Sequence, residues 1–247
     1  MRHDVIIVDS VSALIDAIKA THAADDIVWY RGQGNKDWPL RPSLLRFSNG
    51  LDAEMALIKR FKQNAVHFMD SSSVTEWEWL FLMQHYGLPT RLLDWTESPL
   101  VGLYFSLDDV GSDGVLYCLS PKDLNKNSGV DFRYEWELPC FDIDSVLENY
   151  LPEKLALEKI SKSSPLAAIA LRKTPRHFAQ LGVFTVYHRD MTPIEIVGDA
   201  SHVWKFVIPA DKKSDIKNEL GLLRVNKMSL FPELTQAANM AKEGLLC

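Results

Sequence analysis

Apolar residues recur along this chain in two rhythms, and the predicted elements follow from them. Val11, Leu14, Ile15 and Ile18 stand at helical spacing behind Ser10, whose hydroxyl can accept from the free N–H groups of a first turn. Leu51, Met55, Ile58, Phe61, Ala65 and Met69 keep the same period and predict a helix over Asp52–Met69. Trp77, Leu80, Phe81 and Gln84 predict another, which Gly87 and Pro89 stop. Ser98-Pro99 reads as an N-cap followed by proline in the first turn, opening a short helix over Pro99–Leu107. Runs rich in β-branched and aromatic residues predict strands at Asp26–Tyr30, ending at Arg31-Gly32, and at Val115–Leu119, Val183–His188 and Val203–Pro209. Asp211 is placed to cap a helix reaching about Leu220, and Ser229–Glu243 reads as helical after an early Pro232. Asn125–Gly129 reads as a loop, and weaker helical signals follow at Ile143–Tyr150 and Glu153–Lys162.

Helices thus fall mainly in the N-terminal half and strands later, without the regular alternation of a doubly wound sheet. The expected fold class is α+β, one compact domain over residues 1–247 with a mixed or antiparallel sheet. Composition agrees: 47% hydrophobic residues can supply a sizeable core, and no Pro/Gly/Ser-rich or charged stretch marks a linker.

Cys118, Cys140 and Cys247 are widely separated and odd in number, which fits a reducing compartment better than a disulfide framework. No leader pattern and no apolar run of about 18 residues is present, so a cytoplasmic protein with no membrane partner is expected. A net charge of −6 argues against an extended nucleic-acid surface while leaving room for one basic pocket. No H-E-x-x-H, C-x-x-C, G-x-S-x-G or glycine-rich phosphate loop occurs, and no second histidine or cysteine stands at ligand spacing from His85, so no metal is expected.

Three segments carry the candidate chemistry. In Trp29-Tyr30-Arg31-Gly32-Gln33-Gly34, a strand delivers an arginine fork suited to phosphate, and Gly32 lacks a Cβ that would hold a ligand off the backbone. In Gln84–Pro99, Gln84, His85, Arg91, Asp94, Thr96 and Ser98 crowd a connection between apolar helices, where buried polar groups must find partners. Gly87 and Pro89 would turn the chain so that His85 faces Asp94, with Arg91 directed either to Asp94 as a buried pair or to a ligand. Thr96 and Ser98 either serve a site or cap the next helix. In Arg176–Tyr187, Gln180 offers an acceptor and two donors, either to a ribose hydroxyl or carboxamide or to a nearby backbone group.

At these segments the chain resembles the FRG domain family, named for an aromatic-Arg-Gly motif, here Tyr30-Arg31-Gly32. The resemblance runs on through Gln84–Thr96, Ser98-Pro99 and Tyr104-Phe105, then Ala179–Phe184 and Ser229–Leu234, covering about residues 27–240. It implies a bacterial or phage-related context and a part in defence or a toxin system. A fainter likeness, a strand carrying Tyr30-Arg31-Gly32, is to the Arg-Ser-Glu class of ADP-ribosyltransferases. It implies NAD as substrate and an ADP-ribosyltransferase-like fold, Arg31 as the phosphate anchor and Gly32 as partner of the nicotinamide carboxamide. Tyr30, Gln33 and Gln84 would lie in the same nucleotide site, and Thr96 or Ser98 would support Arg31. Gln180 stands where that class carries glutamate, and glutamine supplies no negative charge, so Glu97 or Glu195 would have to take its place in space. The acceptor would be a macromolecule, a nucleotide or water, and a regulatory protein is a further expected partner. Two alternatives stand beside this: a non-catalytic module binding a nucleotide, nucleic-acid end or protein, and a metal-independent nuclease with His85 as acid–base and Arg91 as clamp.

Overall fold

A computed structural model describes residues 2–23, 26–130, 137–157 and 163–242. Seven strands form one mixed sheet: β1 (Ile6–Ile7), β2 (Trp29–Gln33), β3 (Leu92–Thr96), β4 (Gly114–Leu119), β5 (Leu166–Ala168), β6 (Gly182–Val186) and β7 (Val203–Ile208). Their spatial order is β1-β7-β4-β2-β3-β6-β5, parallel between β1 and β7 and antiparallel elsewhere. The helices are α1 (Val11–Thr21), α2 (Gly50–Ala65), α3 (Glu76–His85), α4 (Pro99–Phe105), α5 (Pro121–Asn127), α6 (Pro152–Leu157), α7 (Pro175–Ala179), α8 (Lys213–Leu222), α9 (Lys227–Leu230) and α10 (Leu234–Lys242). The α+β class with a mixed sheet stands, but the expected division does not: β1–β4 precede residue 120 and α5–α10 follow it, because strands and helices interleave along the whole chain.

Several helix starts obey the capping chemistry read from sequence. Ser10 accepts from Ala13 N, and Ser98 accepts from Val101 N ahead of Pro99. Thr75 and Glu78, not singled out from the sequence, form a reciprocal capping box on α3. Other boundaries moved. Asp211 is not a cap, since α8 begins at Lys213 after a short 3-10 turn. The helix expected over Ser229–Glu243 is broken by Pro232 into α9 and α10, and Glu243 lies outside the described residues. The helix expected over Glu153–Lys162 is seen as α6, with residues 158–162 outside the described part, as is Cys247. Asn125, expected in a loop, ends inside α5, buried and exchanging two hydrogen bonds with the Ala167 backbone on β5.

Two differences matter for function. β2 begins at Trp29 and holds Arg31 and Gly32 in mid-strand, paired along all five positions with β4, where a strand ending at Tyr30 was expected. The segment expected to be a polar connection contains β3, an interior strand. Leu92, Leu93, Trp95 and Thr96 are all buried, so both faces are covered and the period-two signal is absent.

Side chains alternate across the sheet. On one face Trp29, Leu93, Trp95, Tyr117 and Val183 pack with Leu40 and Leu45. On the other, Tyr30, Leu116 and Phe206 pack under α1, α4 and α8, while Leu92, Phe184 and Leu166 pack under α3. The seam between those two groups lies along β2 and β3. There the ladder holds at one position, Tyr30 opposite Thr96, against five for β3 with β6.

Candidate functional site

A cavity of about 350 Å³ lies at this seam, lined by both strands, the C-terminal part of α3, the edge of α4, and α7. Arg31 emerges from β2 and donates through its terminal nitrogen to the Asp94 carbonyl, 2.6 Å away, a contact across the unpaired stretch of the two strands. Its Nε is buried with no partner among the described residues. Burial pushes the Arg31 guanidinium below its ordinary value, Asp94 works against that shift, and the nearby Arg46 adds to it. Arg31, Arg46 and Arg176 line the cavity against the carboxylates of Asp94 and Asp108, a surplus of positive charge that an anion would relieve.

The Asp94 carboxylate is held from the other side. Gln84 Nε2 donates to its Oδ1 at 2.5 Å, and Gln84 Oε1 accepts from the Thr90 hydroxyl at 2.5 Å. Gln84 is thus a spacer that fixes Asp94 at the mouth of the cavity. His85 and His177 stand nearby, and burial lowers both imidazoles from their ordinary value. Arg176 lowers them further; Glu233 opposes the shift at His85, and Asp94 opposes it at His177. Both rings are consequently neutral near pH 7 and able to donate or accept one proton. Trp38, Phe81, Phe105 and Phe184 supply aromatic wall.

Gly32 owes its identity to packing. A Cβ there would stand 2.0 Å from the Gly102 carbonyl oxygen and 2.4 Å from Ser106 N, because α4 lies directly against β2. Gly32 also lines the cavity, so close helix–strand approach accounts for its missing Cβ beside the expected approach of a ligand to its backbone. The floor beyond it is tied down by Lys213, whose buried ammonium donates to the carbonyls of Gly34, Asp108 and Asp109, each at 2.7 Å. Gly34 and Asp108 both line the cavity.

The remaining expected site residues divide. Arg91 does not reach Asp94 or the cavity: it is 2% exposed, pairs with the buried Glu54, and donates to the Tyr187 carbonyl. Arg91 and Asp94 are three residues apart on a turn leading into a strand, so their side chains leave in different directions. Ser98 spends its hydroxyl on capping α4. Thr96 lines the cavity, but its hydroxyl donates to the Gln180 carbonyl at 2.6 Å and accepts from Ser98 N. Gln180 lines it too, with its amide donating to the Leu230 carbonyl at 3.0 Å. Gln33 is buried and donates to the Trp38 carbonyl. Tyr30 sends its hydroxyl away to His22, 2.8 Å distant. Glu97 pairs with Arg172, and Glu195 accepts from Leu40 N, so neither joins the cavity as a substitute carboxylate. Sequence reasoning did not single out Arg46, Trp38 or Asp108, which come from irregular segments with no periodic signal, nor Glu233 beside the cavity. Arg176 and His177 stood in the basic stretch before β6 without an assigned role.

Among the described residues, no group of three or more histidine, cysteine, aspartate or glutamate side chains gathers as a metal would require, and no helix is long and apolar enough to cross a membrane. Cys118 and Cys140 are buried and free.

The class defined here is a mixed-sheet domain with a charged cavity opened between two central strands. The FRG domain family model matches residues 26–113. No curated protein matches the chain, and no solved structure matches it. The matched residues include Arg31, Gln84, His85 and Asp94, whereas Arg176, His177 and Gln180 come from beyond them. The stretches at 179–184 and 229–234, attributed to the same resemblance from sequence, also lie beyond the match.

Proposed function

We propose that the cavity is a nucleotide site and that its chemistry is cleavage of NAD at the nicotinamide–ribose bond, an ADP-ribosyltransferase-like activity. The observation that carries this reading is the Arg31–Arg46 pair on a cavity wall with the Asp94 carboxylate, facing aromatic walls. Two guanidinium charges suit a diphosphate, through the nitrogens left beyond Arg31's bond to the Asp94 carbonyl and Arg46's bonds to the Arg41 carbonyl. Departure of nicotinamide leaves positive charge on the ribosyl carbon, and a carboxylate fixed at that point stabilises it more than the ground state. Asp94, steadied by Gln84 and with its backbone carbonyl on Arg31, is the carboxylate assigned to that role; Asp108 also lines the cavity but at its floor, and Gln180 has no carboxylate. His85 or His177, neutral at pH 7, would take the proton from an attacking hydroxyl or water. A role in defence or as a toxin would follow from NAD consumption.

The second reading is a non-catalytic nucleotide-binding module. It is favoured by Thr96, Ser98 and Gln180, whose polar side-chain groups are committed to the protein's own backbone. Nicotinamide release from NAD, followed for the wild type and Arg31→Ala with and without cell lysate, decides between them. Release that disappears in Arg31→Ala supports the transferase reading, with lysate dependence indicating a macromolecular acceptor. Saturable NAD binding without release supports the module.

A further inference from the structure

A second cavity, of about 670 Å³, lies on the far side of α3 from the first. The two share Phe81, His85, Arg176 and His177, so they are neighbouring compartments of one groove with a common wall. Their linings differ in kind. The smaller carries the Arg31–Asp94–Arg46 charge cluster, and the larger is walled by Val74, Leu82, Phe141 and Leu171, with the Lys173–Glu78 ion pair beside it.

Size and chemistry together decide what the larger compartment takes. Small-molecule sites run from about 300 to 1,000 Å³, so the smaller cavity stands near the lower limit. It holds phosphates and one sugar but not two nucleosides. An aromatic base on the far side of the shared wall would meet apolar surface, as ring systems prefer. The wall itself carries unspent polar capacity. Glu233 Oε1 is buried with no partner among the described residues, 3.8 Å from both His85 Nε2 and an Arg176 terminal nitrogen. Those separations exceed a hydrogen bond. A ribose hydroxyl crossing the wall can donate to Glu233 while accepting from Arg176, supplying hydrogen bonds that their 3.8 Å ion pair leaves unmade.

We infer that the larger cavity is the second compartment of a bipartite site, receiving the base and ribose of a dinucleotide whose diphosphate rests on Arg31 and Arg46. The inference rests on the nucleotide reading above and adds the ligand's second half. It assigns Glu233 and Arg176 to that half, outside the region of bond cleavage.

The test is titration calorimetry on the full chain with inorganic pyrophosphate, AMP and carba-NAD, a dinucleotide that the proposed reaction does not cleave. Wild type is compared with Arg31→Ala, Leu171→Trp and Val74→Trp, each checked by thermal melting. Leu171 is half exposed, so tryptophan there narrows the compartment from its rim, and Val74→Trp does the same independently. The expected result is carba-NAD binding at least about ten-fold tighter than AMP. Either tryptophan variant weakens carba-NAD and AMP while leaving pyrophosphate unchanged, and Arg31→Ala weakens all three. Equal affinity for carba-NAD and AMP, or tryptophan variants that bind carba-NAD normally, overturns the bipartite site while leaving the phosphate pocket standing. Failure of all three ligands to bind the wild type overturns the nucleotide reading and this inference with it.

Discussion

Arg31 and Arg91 sit on strands that are neighbours or on the turn leading into one, yet their surroundings differ in every respect. Arg91 is sealed in the core, with two nitrogens on the Glu54 carboxylate and another on the Tyr187 carbonyl. Arg31 has one backbone partner, a second arginine nearby, and an orphaned Nε beside an open cavity. The first arrangement is complete within the protein, and the second is complete only with something added. The difference teaches where to look for function in a chain of this kind: an arginine whose charge the fold has already answered holds structure, and one whose charge it has not answered is available to a ligand.

The largest effect comes from breaking the closed pair. Arg91→Met leaves the Glu54 carboxylate buried and uncompensated, and the expected loss of stability is about 3–5 kcal/mol in urea unfolding. Arg31→Ala, measured the same way, changes stability by under about 1 kcal/mol and acts on nucleotide binding instead. Equal destabilisation by the two would dissolve the distinction.

Next in size is Gly32→Ala. Its Cβ meets the backbone of α4, which has no flexible end to give way, so the strand and helix must part. A loss of about 3 kcal/mol is expected, together with weaker ligand binding because Arg31 is displaced.

The third prediction concerns acid. His188 is fully buried next to Arg91, and burial, with help from that arginine and Arg189, lowers its pKa to about 4 from 6.5. The unfolded chain takes up this proton near pH 6.5 and the folded chain near 4. Stability is therefore complete above pH 6.5 and is lost progressively as pH falls towards 4. In His188→Gln the decline between pH 6.5 and 4.5 is shallower, read from urea midpoints at several pH values. An unchanged slope would separate His188 from the Arg91 cluster.

Smallest is Thr96→Val, which removes the bond to the Gln180 carbonyl and leaves that acceptor unpaired, costing about 1–2 kcal/mol with little change in affinity for pyrophosphate. A large drop in affinity would return Thr96 to the ligand.

Legibility in the sequence followed the kind of interaction. Ser10, Ser98 and the Leu51–Ala65 periodicity could be read because capping and amphipathic helices are local. The presence of Arg31, Gln84, His85, Asp94 and Gln180 on one cavity was legible as a cluster of chemically dense segments. Their division of labour was not. That Arg91 turns to Glu54, 37 residues earlier, and Gln180 to Leu230, 50 residues later, depends on contacts that leave no mark on neighbouring positions. β3 escaped for a related reason, since a strand buried on both faces loses the alternation that announces strands.

The Lys213 ammonium gathers the carbonyls of Gly34, Asp108 and Asp109 from 179, 105 and 104 residues away. Translation makes those carbonyls long before it makes the lysine. A growing chain that has emerged through Asp113 contains the whole FRG-matched span, yet it has neither the clasp for the floor nor Arg176 and His177 for the wall. The cavity is thus closed by residues from the last third of the chain, which the FRG-matched span does not contain.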